Sequence, residues 1–183
     1  SCLVGSEMCI RDRHIAADKL ITTSLELGGK SPTIVLPDAD IELAAKGIAY
    51  GIFSSAGQAC IAGSRLFIHS SIYDQFLTRL VEITKGLRVG HPEQKDVHMG
   101  SLINQAHLQS VDRYVQLAKQ EGGEVLTGGE ALTTGEFAKG SFYLPTIITG
   151  LKNQAKVCQE EIFGPVLVAV SYTHLRAHET RGN

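Results

Sequence analysis

Apolar residues along this chain recur in two periods, and the alternation between them predicts alternating strands and helices. Leu20–Leu25 and Thr33–Leu36 read as short strands, separated by Gly28-Gly29 and bounded by Pro32 and Pro37. Ile41, Ala44, Ala45, Ile48 and Ile52 then fall on one side of a helix over about 40–54, with Asp38 and Asp40 as candidate N-caps. Arg65–His69 reads as a strand. Ser71 and Asp74 have capping-box spacing and open a helix with Tyr73, Phe76, Leu77, Leu80 and Val81 on one face, ended by Gly86 and Gly90. A loop over 90–100 leads to another helix, with Leu108, Val111, Val115 and Ala118 on its apolar side and Gly122-Gly123 closing it. Strands are expected at Glu124–Leu126, Phe142–Ile148 and Val166–Val170, the last two apolar on both faces, as in a covered parallel sheet. The expected class is α/β, a mostly parallel sheet flanked by helices.

Composition narrows what such a domain can do. A chain of 183 residues is long enough for one domain or slightly more, with a sizeable core. Seventeen Lys and Arg against nineteen Asp and Glu leave a formal net charge of −2, spread along the chain, which argues against nucleic acid or an anionic membrane as the main partner. The longest apolar run, around Val166–Val170, falls far short of the roughly 18 residues of a spanning helix, and no apolar signal core opens the chain. Cys2, Cys9, Cys60 and Cys158 include no C-x-x-C pair and no zinc spacing, so a reducing, cytoplasmic setting is expected and no metal site.

The two ends do not continue the periodicity of their neighbours. Residues 1–13, SCLVGSEMCIRDR, and 171–183, SYTHLRAHETRGN, resemble translated adapter or vector DNA and are expected to be non-native sequence packing outside a core over about 14–170. His174 and His178 stand four apart, but no motif places an acidic third ligand beside them.

Three segments carry possible chemistry. LELGGK, at 25–30, puts the Glu26 carboxylate at a strand end beside two glycines that allow close backbone approach. GQACIAGSR, at 57–65, puts the Cys60 thiol in a loop of small residues just after a helix. EEIFGP, at 160–165, puts two acids and the Phe163 ring before an apolar strand. Each alone has an ordinary reading: a solvated carboxylate, a small buried cysteine, a turn acid with a core ring. Together they suggest an activated thiol, a base and a cofactor clamp. Cys158 has no small-residue loop around it and reads as structural, and His69, His91, His98 and His107 read as surface or satisfied polar positions.

On these residues the interior, from about His14 to Val170, closely resembles the NAD(P)-dependent aldehyde dehydrogenase family. The family's glutamate signature stands as LELGGKSP at 25–32 and its cysteine signature as GQACIAGSR at 57–65, with Glu26 and Cys60 the usual thirty-four residues apart. VGHPEQKDVHMGSLIN at 89–104, GGEVLTGG at 122–129, YLPTII at 143–148 and EEIFGPV at 160–166 agree in order. The resemblance implies that Cys60 is the nucleophile attacking an aldehyde, and that Glu26 is the base for hydrolysis of the resulting thioester. It implies NAD or NADP as cofactor, with Gly28 lining it, Glu161 hydrogen-bonding the nicotinamide-side ribose and Phe163 beside the nicotinamide. The Cys60 backbone N–H is an oxyanion donor by the same resemblance. These groups should converge on one cleft at strand ends, where open α/β sheets place ligands.

The resemblance also implies a catalytic domain truncated at both ends. The dinucleotide loop, the acid that reads the adenosine ribose and an oxyanion asparagine lie upstream in relatives, and no G-x-G-x-x-G occurs here. The parent enzyme is expected to be a homo-oligomer, dimer or tetramer, acting on a small aldehyde, with the isolated fragment inactive. Two alternatives stand beside this: a CoA-acylating dehydrogenase, against which the intact LELGGK argues, and a non-enzymatic relative, against which Cys60, Glu26 and Glu161 together argue.

Overall fold

Four strands lie parallel because the connections between neighbours are long enough to cross over, and a fifth reverses at one edge. The computed structural model describes residues 7–174. Its five-stranded sheet has the order β1-β2-β7-β6-β3, formed by β1 Pro32–Val35, β2 Arg65–His69, β7 Val166–Tyr172, β6 Thr146–Thr149 and β3 Glu124–Thr127. β1, β2, β7 and β6 are parallel, and β3 pairs antiparallel with β6. Ala131–Leu132 (β4) and Phe142–Tyr143 (β5) form a separate two-stranded ribbon. The α/β class and the mostly parallel sheet are as the periodicity predicts.

The sheet is filled where the pattern is apolar on both faces. Val166, Leu167, Val168 and Ala169 of the central β7 are all buried, while in β2 Leu66 and Ile68 alternate with half-exposed neighbours. Helix α2, Ile41–Phe53, is capped by the Asp40 carboxylate, which accepts from Leu43 N–H at 3.0 Å, and it buries Ala45, Ile48, Ala49, Ile52 and Phe53. Helix α3, Tyr73–Lys85, packs on α2 and buries Phe76, Leu77 and Leu80. Helix α4, Gln105–Gln120, is capped by Asn104 and buries the expected Leu108, Val111, Val115 and Ala118.

Three expectations are corrected. Residues 20–25 form no strand: Leu20 is 96% exposed, its backbone closes the preceding helix, and no strand among the described residues lies alongside to pair with it. An alternating pattern cannot make a strand without a ladder partner. The expected Ser71–Asp74 capping box does not form. His69 Nδ1 accepts both the Ser71 N–H, at 3.3 Å, and the Ser71 hydroxyl, at 2.8 Å, so a 3₁₀ turn over Ser70–Ile72 precedes α3 instead. The single strand expected over 142–148 is cut in two at Pro145, which has no N–H for a ladder, so β5 turns to β4 and β6 to β7 and β3. At the ends, helix α1, Glu7–Asp18, runs through residue 13, and none of its residues is buried. β7 likewise runs two residues past Val170, and the Tyr172 hydroxyl donates to the Val35 carbonyl at 3.1 Å. The short helix α5, Lys156–Gln159, has no signature in the apolar pattern. Cys2 and His178 lie outside the described residues.

Candidate active site

Each of the three motif segments runs directly into a strand: LELGGK into β1, GQACIAGS into β2 and EEIFGP into β7. Because β1, β2 and β7 are adjacent and parallel, the three loops must meet at one end of the sheet. That end is the amino end. Open nucleotide-binding sheets place their ligands beyond the carboxyl ends of their strands; the strand ends at which these loops gather are the opposite ones. Sites at carboxyl ends use the helix N-termini that follow strands, whereas here backbone loops entering the strands build the wall.

The loops touch closely enough to require glycine. Seen from Gly28-Gly29, a β-carbon on Gly28 would run into the Glu161 carboxylate, and one on Gly29 into the Cys60 carbonyl oxygen. The Gly29 N–H donates to Glu161 Oε1 at 3.0 Å. At Gly57, φ is +69° and a β-carbon would collide with the Gly164 carbonyl and Pro165 nitrogen, so the cysteine loop lies directly on the EEIFGP loop. Arg65 completes the knot: its Nε donates to the Lys30 carbonyl at 2.9 Å and its backbone N–H to the Ser31 carbonyl at 3.3 Å.

The structure thus brings together Gly28, Cys60, Glu161 and Phe163. Cys60 is a half-buried free thiol in a turn between α2 and β2, and its backbone N–H makes no hydrogen bond among the described residues. Glu26 is not tied in. It is exposed on an irregular stretch three residues before Gly29, with no hydrogen bond among the described residues. Three residues span at most about 11 Å of backbone, which keeps Glu26 in the neighbourhood of Cys60 but fixes no contact. Cys158, in α5, is fully buried, and burial pushes its thiol above the ordinary value, opposite to what a nucleophile needs.

Four further side chains surround these loops, and of them the sequence reading names only His107, as a surface or satisfied polar position. Lys30, the last residue of LELGGK, has a buried Nζ with no hydrogen-bond partner among the described residues. Burial pulls it down to about 8, with Arg65 adding to the fall and Cys158, Glu161 and Glu160 opposing it. Arg65 closes the cysteine motif, and that position was its only signal. The other two, His107 and Tyr114, come from α4. At 107, 111 and 114 this helix presents one stripe to the EEIFGP loop. His107 Nε2–H donates to the Phe163 carbonyl at 2.6 Å, Val111 fills the space beside Gly164, and the Tyr114 hydroxyl donates to Glu160 Oε2 at 2.9 Å. Phe163 itself sits at φ +56°, an unfavourable region for a bulky residue, and its side chain remains 38% exposed.

A broader groove lies between β1 and α2, lined by Thr33, Val35, Ile48 and Ile61 among others. No titratable side chain lines it, whereas the small pocket between the motif loops, where Gly29, Ser64, Glu161 and Phe163 meet, has the Glu161 carboxylate in its wall. No described group of three or more His, Cys, Asp or Glu is arranged to hold a metal ion, and no described helix is long and apolar enough to cross a membrane.

Residues 3–179 match the family model described as "Aldehyde dehydrogenase family". Among solved structures, the chain is 42% identical to HpcC from Thermus thermophilus, over 92% of this chain and 33% of that one, with a TM-score of 0.84. It is 40% identical to an NAD-dependent aldehyde dehydrogenase from Sinorhizobium meliloti, over 88% and 31%, with a TM-score of 0.81. A betaine aldehyde dehydrogenase variant from Staphylococcus aureus, solved with NAD+, is 34% identical over 92% and 34%, with a TM-score of 0.84. The chain therefore spans about a third of the length of these proteins.

Proposed function

The chain belongs to the aldehyde dehydrogenase family, and on that premise we propose that residues 14–170 form part of the catalytic domain of an enzyme that oxidises an aldehyde to a carboxylic acid with NAD or NADP. The observation that carries this reading is the meeting of Gly28-Gly29, Cys60 and Glu161 where β1, β2 and β7 begin.

The residues fit a nicotinamide nucleotide. Glu161 Oε1 is held by the Gly29 N–H, while Oε2 takes no hydrogen bond from the described residues and is free to accept one from a ribose hydroxyl. Gly28 leaves the space that this carboxylate fills, and the exposed side of Phe163 offers an apolar wall. A nicotinamide nucleotide held by these residues would supply the acceptor for the pair of electrons and the proton lost from the aldehyde carbon.

On this reading the Cys60 thiolate adds to the aldehyde carbonyl, forming the C–S bond and placing the negative charge on oxygen. The Cys60 N–H is unengaged among the described residues and available to that oxygen. Re-forming the carbonyl with cleavage of the C–H bond on that carbon, its electron pair and proton leaving together, would give a thioester on Cys60. Glu26 takes a proton from a water, whose oxygen attacks the thioester; the C–S bond breaks, and the acid and the thiolate are released. The exposure of Glu26 suits a base that must exchange its proton with solvent. The thiol-based chemistry and sparse cysteines fit a reducing cytoplasm, and the parent enzyme is proposed to be a homo-oligomer.

The test is a steady-state assay of the full-length parent with an aldehyde series and NAD or NADP, with and without CoA. Acid formation without CoA is expected. Turnover only with CoA, or none with any aldehyde, would overturn the reading.

A further inference from the structure

We infer that His107 is a positioning residue for the cofactor, acting through Phe163; the inference rests on the function proposed above. Phe163 holds a left-handed backbone, φ +56°, which a bulky side chain rarely adopts unless its surroundings impose it. Three contacts along one stripe of α4 impose it here. His107 Nε2–H donates to the Phe163 carbonyl at 2.6 Å, and the imidazole stands edge-on to the Phe163 ring with centroids 6.1 Å apart. One turn further along, Val111 packs so close to Gly164 that a β-carbon there would collide with it. Tyr114, on the next turn, ties down Glu160.

The hydrogen bond to the carbonyl fixes the peptide plane after Phe163 and hence the direction in which its ring leaves the loop. Without it the residue relaxes towards the extended region, and the ring no longer stands on the wall of the cleft beside Glu161. Tyr114 and Val111 would still hold the ends of the loop. His107 therefore governs affinity for the nicotinamide half of the cofactor while leaving the reactivity of Cys60 unchanged.

The test uses the full-length parent with His107→Ala, His107→Phe and His107→Gln. His107→Phe keeps the ring contact and loses the donor; His107→Gln loses the ring and keeps an N–H. Three quantities are read: the Kd for NADH by fluorescence titration, KM for NAD(P) against kcat, and the rate of Cys60 alkylation by iodoacetamide without cofactor. Kd and KM should rise about tenfold in the Ala and Phe variants, the loss of one well-placed hydrogen bond, and return to within about twofold in the Gln variant. Alkylation and kcat should change by less than about twofold. A Gln variant as weak as Ala, a Phe variant as tight as wild type, or parallel losses in alkylation and kcat would overturn the assignment. Wild-type enzyme with no aldehyde-dependent NAD(P) reduction would instead overturn the proposed function and this inference with it. An active wild type with unchanged Kd in all three variants would overturn this inference alone.

Discussion

The Glu161 carboxylate occupies the space where a β-carbon on Gly28 would stand, and its Oε1 is held by the neighbouring Gly29 N–H at 3.0 Å. The two residues are more than a hundred positions apart, yet one is small because the other is there. What a methyl group at Gly28 would strike is the far end of a flexible side chain. What it would strike at Gly57 is backbone.

That difference separates two glycine substitutions. Gly28→Ala should leave the melting temperature within a few degrees of wild type, because Glu161 can swing aside, and should raise KM for NAD(P) about tenfold as the carboxylate leaves its place. Gly57→Ala, at φ +69° against the Gly164 carbonyl, should destabilise the protein by more than about 1 kcal/mol. Thermal melts and KM values on both variants check this, and equal melting temperatures would contradict it.

Cys60 and Cys158 should behave oppositely. Cys60→Ala is expected to abolish aldehyde oxidation in the full-length parent. Cys158→Ala should retain most of it, since that thiol is fully buried in α5 and held in its neutral form. Comparable loss in both variants would mean that no single nucleophile operates.

If Glu26 activates the deacylating water, Glu26→Gln should give a burst of NADH followed by a slow steady rate, seen by stopped-flow absorbance. Loss of the burst would place Glu26 earlier, in forming the Cys60 thiolate.

Lys30 makes stability depend on pH in the alkaline range. Its value falls from 10.5 unfolded to about 8 folded, chiefly through burial. Between those two values the unfolded chain binds more protons than the folded one, so Lys30 makes folding more favourable as pH rises from about 8 to 10.5. Below about 8 the buried charge carries its full desolvation cost. Lys30→Met should therefore be stabilising relative to wild type at pH 7, by up to about 3 kcal/mol, with the difference shrinking towards pH 10.5. Thermal melts of both proteins between pH 7 and 10.5 measure it, and a pH-independent difference would refute desolvation of the Lys30 ammonium as the cause.

Local pattern determined the elements whose apolar faces are long and regular. The stripe of α4 buries at the four positions its spacing predicts, that of α2 at Ala45, Ile48 and Ile52 with Ala49 and Phe53 added and Ile41 and Ala44 only half-buried, and the continuous apolar run of β7 lies at the centre of the sheet. The sequence also determined which residue types could do chemistry, since a thiol among small residues and a carboxylate beside two glycines are visible without coordinates. Tertiary structure decided the rest. Residues 20–25 alternate like a strand but have no partner, and Ser71 has capping spacing but is claimed by His69. Neither outcome is written in local order, because strand pairing and side-chain competition depend on what lies across space. The same holds for the site. Its loops begin three strands that are distant in sequence and adjacent in the sheet, and the His107, Val111 and Tyr114 stripe supports the EEIFGP loop only because α4 docks against it. Parallel pairing of β1, β2 and β7 put the motifs at a common amino end, a fact of topology that periodicity along one strand does not contain.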